Sequence, residues 1–476
     1  MNREPEIETS AEGKPLHFYG GILGALFPFL IFVTGVVIIA LSGAPSEKGF
    51  WPVLIVALAA GLFLAKDRQL FSETVIKGMA QPIVMIMIMA WILASTIGVL
   101  MTTTGFVEAL IWLAEQLQLG GAGFVMATFI ICCIVSLSTG SSFATILICT
   151  PILYPTGGLL GAHLPTLAGV IIGGATFGDF FAPISDTTIS SALSQKAEIG
   201  PTVKSRIKYI VPASFLALLA YGLSAGLQSG SAQGNEQAMA GDPAGLPMLL
   251  VPALVIYLFL QKKHLVHGLL AGLVFGIALG LVLGLLPINR LLSLDLDNFT
   301  ASSFIIDGID RAVGISIFTI LLMALVATLK ASGLINRLVA FASKRIHNQR
   351  QSEGWISGTV AGALLLTTHS IVAILMVADF SNETGEKMKV PNTRRANILS
   401  LMACVLPFLL PYFIPVILMA NMTSAGAAFG VESVAPLQAG LYNFLSWALL
   451  LMVVLVVIFG YGRKTAQNIK AQLPNE

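Results

Sequence analysis

The sequence predicts an all-α polytopic membrane protein with about ten transmembrane helices and two re-entrant hairpins, arranged as an inverted-topology repeat. Of the 476 residues, 56% are hydrophobic and 11% are charged, and the mean hydropathy is +0.87. Several apolar runs are long enough to cross about 30 Å of hydrocarbon as helices, and they lack the two-residue alternation of an outer-membrane barrel strand. This composition excludes a soluble globular protein.

The orientation of the predicted helices follows from the basic residues, because Lys and Arg concentrate in cytoplasmic loops. The segment 229–245 carries Glu236 and Asp242 but no base, and is therefore expected outside. The bases that mark cytoplasmic loops and the C-terminal tail are Lys66, Arg68, Lys77, Lys196, Lys204, Arg206, Lys208, Lys262, Lys263, Arg463, Lys464 and Lys470. Both termini are thus predicted to be cytoplasmic. Because the bases lie in short loops, we expect the lipid bilayer as partner and no nucleic acid.

Two parts of the chain resemble each other, which predicts an internal repeat. Each part has a long apolar helix, a glycine turn, an amphipathic stretch and an apolar run interrupted by hydroxyl residues. The amphipathic stretch of the first part (105–122) is purely acidic, whereas that of the second (334–350) is rich in bases. The two stretches are therefore expected on opposite sides of the membrane, as in inverted-repeat transporters. The predicted segments are a tail (1–18), the first repeat (19–228), an external linker (229–246), the second repeat (247–461) and a second tail (462–476).

The two interrupted runs, 123–154 and 355–378, are predicted to be re-entrant hairpins. Counting either run as a full crossing would move basic loops to the outside, against the positive-inside rule. Their tips would then meet near the membrane midplane. The candidate tip residues are Ser138, Thr139, Gly140, Ser141 and Ser142 in the first hairpin and Thr367, Thr368, His369 and Ser370 in the second. The alternatives are close packing through small residues and, for His369, a hydrogen-bonded packing role instead of a proton relay.

The run 173–188 carries two carboxylates, Asp179 and Asp186, inside a stretch otherwise fit for the membrane. No Lys or Arg occurs between Lys77 and Lys196, so neither carboxylate has a basic partner nearby in sequence. A carboxylate at bilayer depth costs at least a few kcal/mol unless it is compensated, which makes a functional role the default reading.

Gly178 and Pro183 bracket a predicted break in this helix, and a broken helix frees backbone carbonyls to hold a cation. Hard cations prefer several oxygen ligands. We expect Asp186 to be the principal carboxylate, helped by Asp179, which could instead cap the second half-helix. The predicted cation and proton site, with Na⁺ as the metal ion, comprises Asp179, Ser185, Asp186, Thr187 and Thr188.

The second repeat has a matching break without a carboxylate. Asn397 and Ser400 precede Pro407, Pro411 and Pro415, and prolines remove helix donors. The negative charge of the site is therefore expected to come from the first repeat alone.

The run 177–188 resembles the NhaC-type Na⁺/H⁺ antiporter family of the ion-transporter superfamily, whose motif is Gly-Asp-x-x-Ser/Ala-Pro-x-Ser-Asp-Thr-Thr. The resemblance implies exchange of Na⁺ for H⁺ in a bacterial inner membrane by a homodimer, without a cofactor. It also implies that the run from Asp179 to Thr188 forms the ion site. One departure is that relatives often carry an acidic pair in the second broken helix, whereas 395–403 contains no acid.

The predicted function is secondary active transport, in which Na⁺ and H⁺ compete for Asp186 and alternating access delivers each to the opposite side. The alternative is Na⁺- or H⁺-coupled transport of a small organic acid or amino acid on the same fold. A membrane aspartyl protease would need two carboxylates on facing helices. Asp179 and Asp186 lie on one segment, so an enzyme is not expected.

Overall fold

The chain is mostly helical in a computed structural model, which describes residues 15–42, 47–183, 185–228, 241–261, 263–295, 300–334 and 346–463. The α-helices are α1 (Ile22–Leu41), α2 (Phe50–Leu64), α3 (Arg68–Met79), α4 (Pro82–Thr103), α5 (Phe106–Gln116), α6 (Gly121–Thr139), α7 (Ser142–Leu159), α8 (Leu164–Phe181), α9 (Asp186–Ser194), α10 (Ile199–Gln228), α11 (Leu250–Leu260), α12 (Leu265–Val282), α13 (Phe304–Ala331), α14 (Gln349–Thr367), α15 (Ser370–Met376), α16 (Ala378–Lys387), α17 (Asn392–Ala403), α18 (Ile414–Met422), α19 (Pro436–Leu441) and α20 (Phe444–Val457). Short 3-10 helices lie at Glu47–Gly49, Pro243–Leu249, Ile288–Arg290, Leu406–Phe408 and Thr423–Phe429.

Seven helical stretches among the described residues are long and apolar enough to cross a membrane, or eight if one bent pair counts as a span. The bent pair joins α5 to α6 at an angle of 111°. Exposed apolar side chains such as Leu23, Phe63 and Leu223 cover the outer helices, as expected of a surface that faces lipid. The predicted class of helical multi-pass membrane protein is therefore confirmed. The count of ten crossings, the re-entrant character of the hairpins and the inverted orientation stay predictions.

Helices α6 and α7 form an antiparallel hairpin. The start of α6 at Gly121 lies against the backbone of Gly161 and Ala162, just beyond the end of α7. The turn at the tip has Gly140 in the left-handed conformation with φ of 64°, which a residue without a side chain adopts easily. The hairpin thus spans 121–159, slightly longer than the predicted 123–154.

The helix boundaries repeat along the chain. Helices α6, α8 and α9 begin at 121, 164 and 186, and α14, α17 and α18 begin at 349, 392 and 414, so each later start lies 228 positions after its counterpart. The hairpin tips also match in backbone conformation, with φ of 64° and −138° at Gly140 and Ser141 and of 54° and −134° at Thr368 and His369. This agreement supports an internal repeat.

The contacts between the two halves are reciprocal. Helix α7 of the first half packs against α18, whereas α15 of the second half packs against α9. Because α18 is the counterpart of α9, the two contacts are related by exchange of the halves, as a pseudo-twofold axis requires. The arrangement brings both hairpin tips next to both helix breaks.

Glycines allow α6 and α8 to approach closely. A methyl group on Gly178 would overlap the hydroxyl and the carbonyl carbon of Ser136, and one on Gly174 would overlap Cys132. The Ser136 hydroxyl donates to the carbonyl of Ala175 at 2.7 Å across the same contact. Gly178 and Pro183 were predicted to bracket the helix break, and α8 does end between them; Gly178 itself lies in the last turn of α8, where it serves this packing.

Several local predictions differ from the structure. The sequence also favours a helix that opens at Gly78, but Gly78 and Met79 end α3, and α4 begins at Pro82. The acidic segment after α12 contains a small antiparallel pair of strands, β1 (Ser293–Asp295) and β2 (Thr300–Ser302), in a fold predicted to be all-α. Residues 335–345, which carry three bases of the second amphipathic stretch, lie outside the described residues, as does most of both tails and of the linker.

Arg206, which was assigned to a cytoplasmic loop, is buried, and so is Arg394 in the second half of the chain. Arg206 lies within α10 and is fully buried, and Arg394 lies in α17 with 5% exposure. Arg394 and Arg463 donate to the fully buried carboxylate of Glu353 at 2.6 and 2.7 Å. A buried charge is stable only when it is paired or fully hydrogen-bonded, and these partners are distant in sequence. Such arginines carry no information about the side on which a loop lies.

Candidate cation site

The break between α8 and α9 creates the site. Helix α8 ends at Phe181, and Pro183 follows in the turn, where it has no N–H to continue the helix. Helix α9 begins at Asp186 with Ser185 in the N-cap position. The Ser185 hydroxyl makes no capping hydrogen bond to α9. It is free for contacts across the break.

Four oxygen atoms from both sides of the break form a compact cluster. The Ser185 hydroxyl lies 2.8 Å from the backbone carbonyl oxygen of Asp179, 2.8 Å from its carboxylate Oδ1 and 2.8 Å from the hydroxyl of Thr187. The Thr187 hydroxyl lies 2.7 Å from the same carbonyl oxygen and 3.1 Å from the same Oδ1. Ser185 is fully buried, and Asp179 and Thr187 are 7% and 4% exposed.

This cluster has too few protons for its contacts. Each hydroxyl can donate one hydrogen bond, whereas the carbonyl and the ionised carboxylate can only accept. The two hydroxyl protons must therefore serve five oxygen–oxygen contacts. In the contacts that receive no proton, oxygen lone pairs face one another in a region that is almost fully buried. A monovalent cation or an added proton would relieve that repulsion, because a hard cation is held by oxygen ligands of this kind.

A third element completes the surroundings of the carboxylate. The hydroxyl of Ser142, the first residue of α7, donates to the other carboxylate oxygen of Asp179 at 3.2 Å. Ser141 caps α7 by accepting from the N–H of Ala144 at 3.3 Å. Because Ser142 is the first residue of α7, the N-terminal end of that helix lies beside Asp179. Among the predicted residues of the first hairpin tip, Ser142 is thus one that contacts Asp179 directly.

Asp186 and Thr188 stand apart from the cluster. Asp186 is exposed towards a cavity and lies in the first turn of α9, where a carboxylate also stabilises the helix dipole. Thr188 is fully buried, and its hydroxyl accepts from Arg206 instead of facing Asp179. The structure therefore places Asp179 at the centre, although Asp186 was predicted to be the principal carboxylate.

A cavity of about 690 Å³ connects the break with both hairpin tips. The predicted site and tip residues that line it are Thr139, Gly140, Ser141, Ser142, Asp179, Asp186, Thr187, Thr368, His369 and Ser370. Lys263 and His264, before α12, also line it. Much of the remaining wall is apolar and is formed by Ile86, Met87, Trp91, Phe143, Phe408 and Ile414.

Most of the other tip hydroxyls satisfy the backbone. Thr139 contacts the carbonyl of Ser141 at 3.3 Å, and its counterpart Thr367 contacts that of His369 at 3.4 Å. Ser370 donates to the carbonyl of Ala403 at 3.0 Å and so joins the second tip to α17. The side chain of Ser138 lies outside the described part of the structure.

His369 is different from its neighbours at the tip. Its Nδ1 atom is buried and has no hydrogen-bond partner among the described residues, while the side chain lines the cavity. This is the pattern of a polar group that meets a solute or water, and it leaves the predicted proton-relay role untested.

Asn397 and Ser400, predicted in the second broken helix, do not line the cavity. Helix α17 ends at Ala403 and α18 begins only at Ile414, so the interruption itself is present. Asn397 accepts from Arg206 Nε at 2.9 Å and donates to Ser205 at 2.6 Å. It therefore supports the site indirectly.

Arg206 is the residue that sequence reasoning missed. Its guanidinium donates to the Phe180 carbonyl at 2.5 Å and to Thr188 and Ser191 at 2.7 and 3.1 Å. A period-3.6 reading of α10 could have placed it on the buried face, since Thr202, Tyr209 and Ala213 share that face.

Comparison with known proteins gives the following matches. Residues 19–225 match the model of the Na⁺/H⁺ antiporter family. The malate-2H⁺/Na⁺-lactate antiporter of Bacillus subtilis (strain 168) is 26% identical over 180 residues, which is 37% of either chain. The Na⁺/H⁺ antiporter NhaC of Alkalihalophilus pseudofirmus OF4 is 43% identical over 65 residues, which is 14% of either chain. These alignments cover well under half of the length of the relatives.

Among solved structures, that of MtrF from Neisseria gonorrhoeae, described as illuminating a class of antimetabolite efflux pumps, covers 84% of this chain and 85% of that chain. The sequence identity is 14% and the TM-score 0.37, so the likeness is remote.

The fold and the oxygen cluster define a polytopic helical membrane protein with a buried carboxylate at a broken helix. Residues 19–225, somewhat under half of the chain, are similar to the Na⁺/H⁺ antiporter family, whose model they match. The resemblance predicted from the run 177–188 is confirmed for this segment.

Proposed function

We propose that this protein is a secondary active transporter that exchanges Na⁺ for H⁺ at Asp179. The observation that carries the proposal is the cluster of Asp179, Ser185 and Thr187, in which five oxygen–oxygen contacts share two protons. The match of residues 19–225 to an antiporter family supports it.

Exchange follows from competition for one carboxylate. Na⁺ would take the two Asp179 oxygens and the two hydroxyls as ligands, with Ser142 on the second carboxylate oxygen. A proton on the same carboxylate would remove the charge that holds Na⁺, so the two ions exclude each other. Asp186, exposed to the cavity, would attract cations on their way to the buried cluster.

The proposal is tested with purified protein in sealed liposomes that contain a pH-sensitive dye. Addition of Na⁺ outside, without any organic solute, should change the internal pH, and an ionophore that collapses the proton gradient should abolish the change. Protein-free liposomes are the control. An unchanged internal pH over a wide range of Na⁺ concentrations would overturn Na⁺/H⁺ exchange.

Thr187 offers a prediction about the hydroxyl ligands. In Thr187→Val the shape is kept while the oxygen is lost, so we expect the apparent KM for Na⁺ to rise about tenfold, the size of one charge-assisted hydrogen bond. Thr187→Ser keeps the oxygen and is expected to retain nearly normal affinity. Equal KM values in the two variants would show that the hydroxyl is not a ligand.

A second candidate function is coupled transport of a small organic acid or amino acid, and the cavity favours it. At about 690 Å³ it is far larger than a dehydrated cation requires and has the size of small-molecule sites. The repeat relation of 228 positions pairs Asp179, Ser185 and Thr187 with Pro407, Phe413 and Pro415. The counterpart of the cation cluster is therefore apolar, and Pro407 and Pro415 line the cavity.

This second function predicts Na⁺-gradient-driven uptake of labelled small organic acids or amino acids into the same liposomes. Phe408 and Ile414 line the apolar wall of the cavity, so Phe408→Ala should weaken solute uptake more than Na⁺ binding. If no member of a broad panel is taken up or alters Na⁺ exchange, the organic-solute candidate fails.

A further inference from the structure

Arg206 joins four elements around the cation cluster. It lies on α10, is fully buried, and donates to Phe180 at the end of α8, to Thr188 and Ser191 on α9 and to Asn397 on α17. Its guanidinium also lies over the Phe180 ring, 5.0 Å from the centroid. The two half-helices of the break are thereby tied both to each other and to the second half of the chain.

The contacts of Arg206 run beside those of the cluster, one residue further along each half-helix. Within the cluster, the Thr187 hydroxyl lies 2.7 Å from the backbone carbonyl oxygen of Asp179 and 3.1 Å from its carboxylate Oδ1. The next residues, Phe180 and Thr188, are joined through a single atom, Nη1 of Arg206, at 2.5 and 2.7 Å. The guanidinium therefore bridges the two half-helices immediately beside the cluster.

The positive charge of Arg206 has no carboxylate among its hydrogen-bond acceptors in the described residues. The hydrogen bonds given above all go to neutral oxygens, namely one carbonyl, two hydroxyls and one amide. A buried guanidinium without a directly paired carboxylate is rare unless a charge nearby compensates it. Asp179, adjacent in sequence to the Phe180 carbonyl that Arg206 binds, is the carboxylate placed to do so.

We infer that Arg206 is a positioning residue of the cation site: it holds the two half-helices at the spacing that lets Asp179, Ser185 and Thr187 bind one monovalent cation. Asn397, predicted to lie in the second broken helix, keeps the guanidinium in place from the second half of the chain. The inference rests on the proposed function, because it takes the cluster as the site where Na⁺ binds.

The planar fork of arginine suits this task. It presents five donors in one plane and reaches α8, α9 and α17 at the same time, which the single ammonium of lysine does not. Arg206→Lys should therefore keep the positive charge but lose part of the clamp. Arg206→Gln should lose both.

The test measures Na⁺ binding and transport on Arg206→Gln, Arg206→Lys and a control variant, Arg395→Gln. Arg395 is also buried, with 4% exposure, and donates to Gln195 and to the Val390 carbonyl away from the cluster. Each variant is purified in detergent, checked for monodispersity, titrated with NaCl while thermal unfolding is followed, and then reconstituted.

For Arg206→Gln we expect the Na⁺ concentration that gives half-maximal thermal stabilisation, and the apparent KM for Na⁺, to rise about tenfold to a hundredfold, the range for lost charged hydrogen bonds. The kcat should change far less. Arg206→Lys should lie between this variant and the wild type. Arg395→Gln should lower the unfolding temperature without changing either Na⁺ value, as expected of a purely structural arginine.

The outcomes separate the two proposals. If wild-type protein binds and exchanges Na⁺ while folded Arg206→Gln shows unchanged Na⁺ values, only the positioning role is wrong. The same holds if Arg395→Gln raises the Na⁺ values as much as Arg206→Gln. If wild-type protein shows no Na⁺-dependent stabilisation and no exchange, both proposals are overturned.

Discussion

Replacing Asp179 with Asn is expected to abolish Na⁺-driven proton movement in sealed liposomes. Asn keeps the size and can still meet Ser142 and Ser185, but it supplies neither the negative charge for Na⁺ nor a site for the exchanged proton. Removing one partner of a buried charge pair costs about 3–5 kcal/mol, which is at least about a hundredfold in ion affinity. The measurement is the initial rate of internal pH change after addition of Na⁺.

Asp186→Asn is the matched control for this prediction. Asp186 has the same chemistry seven residues further along but is exposed to the cavity outside the cluster. We expect it to slow exchange and raise the apparent KM modestly, since a solvated carboxylate contributes mainly by attracting cations. Full activity of Asp179→Asn, or loss only in Asp186→Asn, would move the ion site from the buried cluster to the cavity wall.

Gly178→Ala is expected to destabilise the protein strongly. The added methyl group would overlap the backbone and the hydroxyl of Ser136, so α6 must move away from α8 and the hydrogen bond from Ser136 to Ala175 is lost. Overpacking of this kind costs about 1–3 kcal/mol or more. Because Asp179 is the next residue, exchange should fall as well. The measurement is the thermal unfolding temperature of purified protein, together with the yield of monodisperse protein.

Gly358→Ala provides the comparison. Gly358 lies on α14, and a methyl group there meets open space. Alanine is favoured over glycine inside a helix by up to about 1 kcal/mol, so this variant should be as stable as the wild type or more stable. Similar losses in both variants would show that close packing of α6 on α8 is not what Gly178 provides.

The class of membrane protein could be predicted from the sequence because it depends on the summed hydrophobicity of consecutive residues. Hydrophobicity over about 20 residues identifies membrane helices regardless of their neighbours. The breaks after α8 and α17 were predicted for a similar reason, since Pro183 and Pro407 remove backbone donors wherever they occur. The run from Asp179 to Thr188 could also be predicted as a candidate site, because carboxylates in apolar surroundings need compensation.

The different surroundings of the two carboxylates in that run were decided only by the tertiary structure. Asp179 and Asp186 look alike in sequence, yet one is buried among hydroxyls and the other faces a cavity. That difference arises because Ser142 and Thr187, 37 and 8 residues away, are brought to Asp179 by the packing of α7 and by the break. Periodicity and composition carry no information about such contacts.

Arg206 is the clearest example of a residue whose contacts cannot be predicted from the sequence. In the sequence it stands between Lys204 and Lys208 and reads as one of a group of loop cations. In the structure it is fully buried and meets Asn397, 191 positions away, because α10 turns this one base inward against α17. The sequence by itself determined the membrane class and the broken helix, which follow from local chemistry. The partners of each charge were decided by long-range packing, which alone excludes water and makes those charges depend on one another.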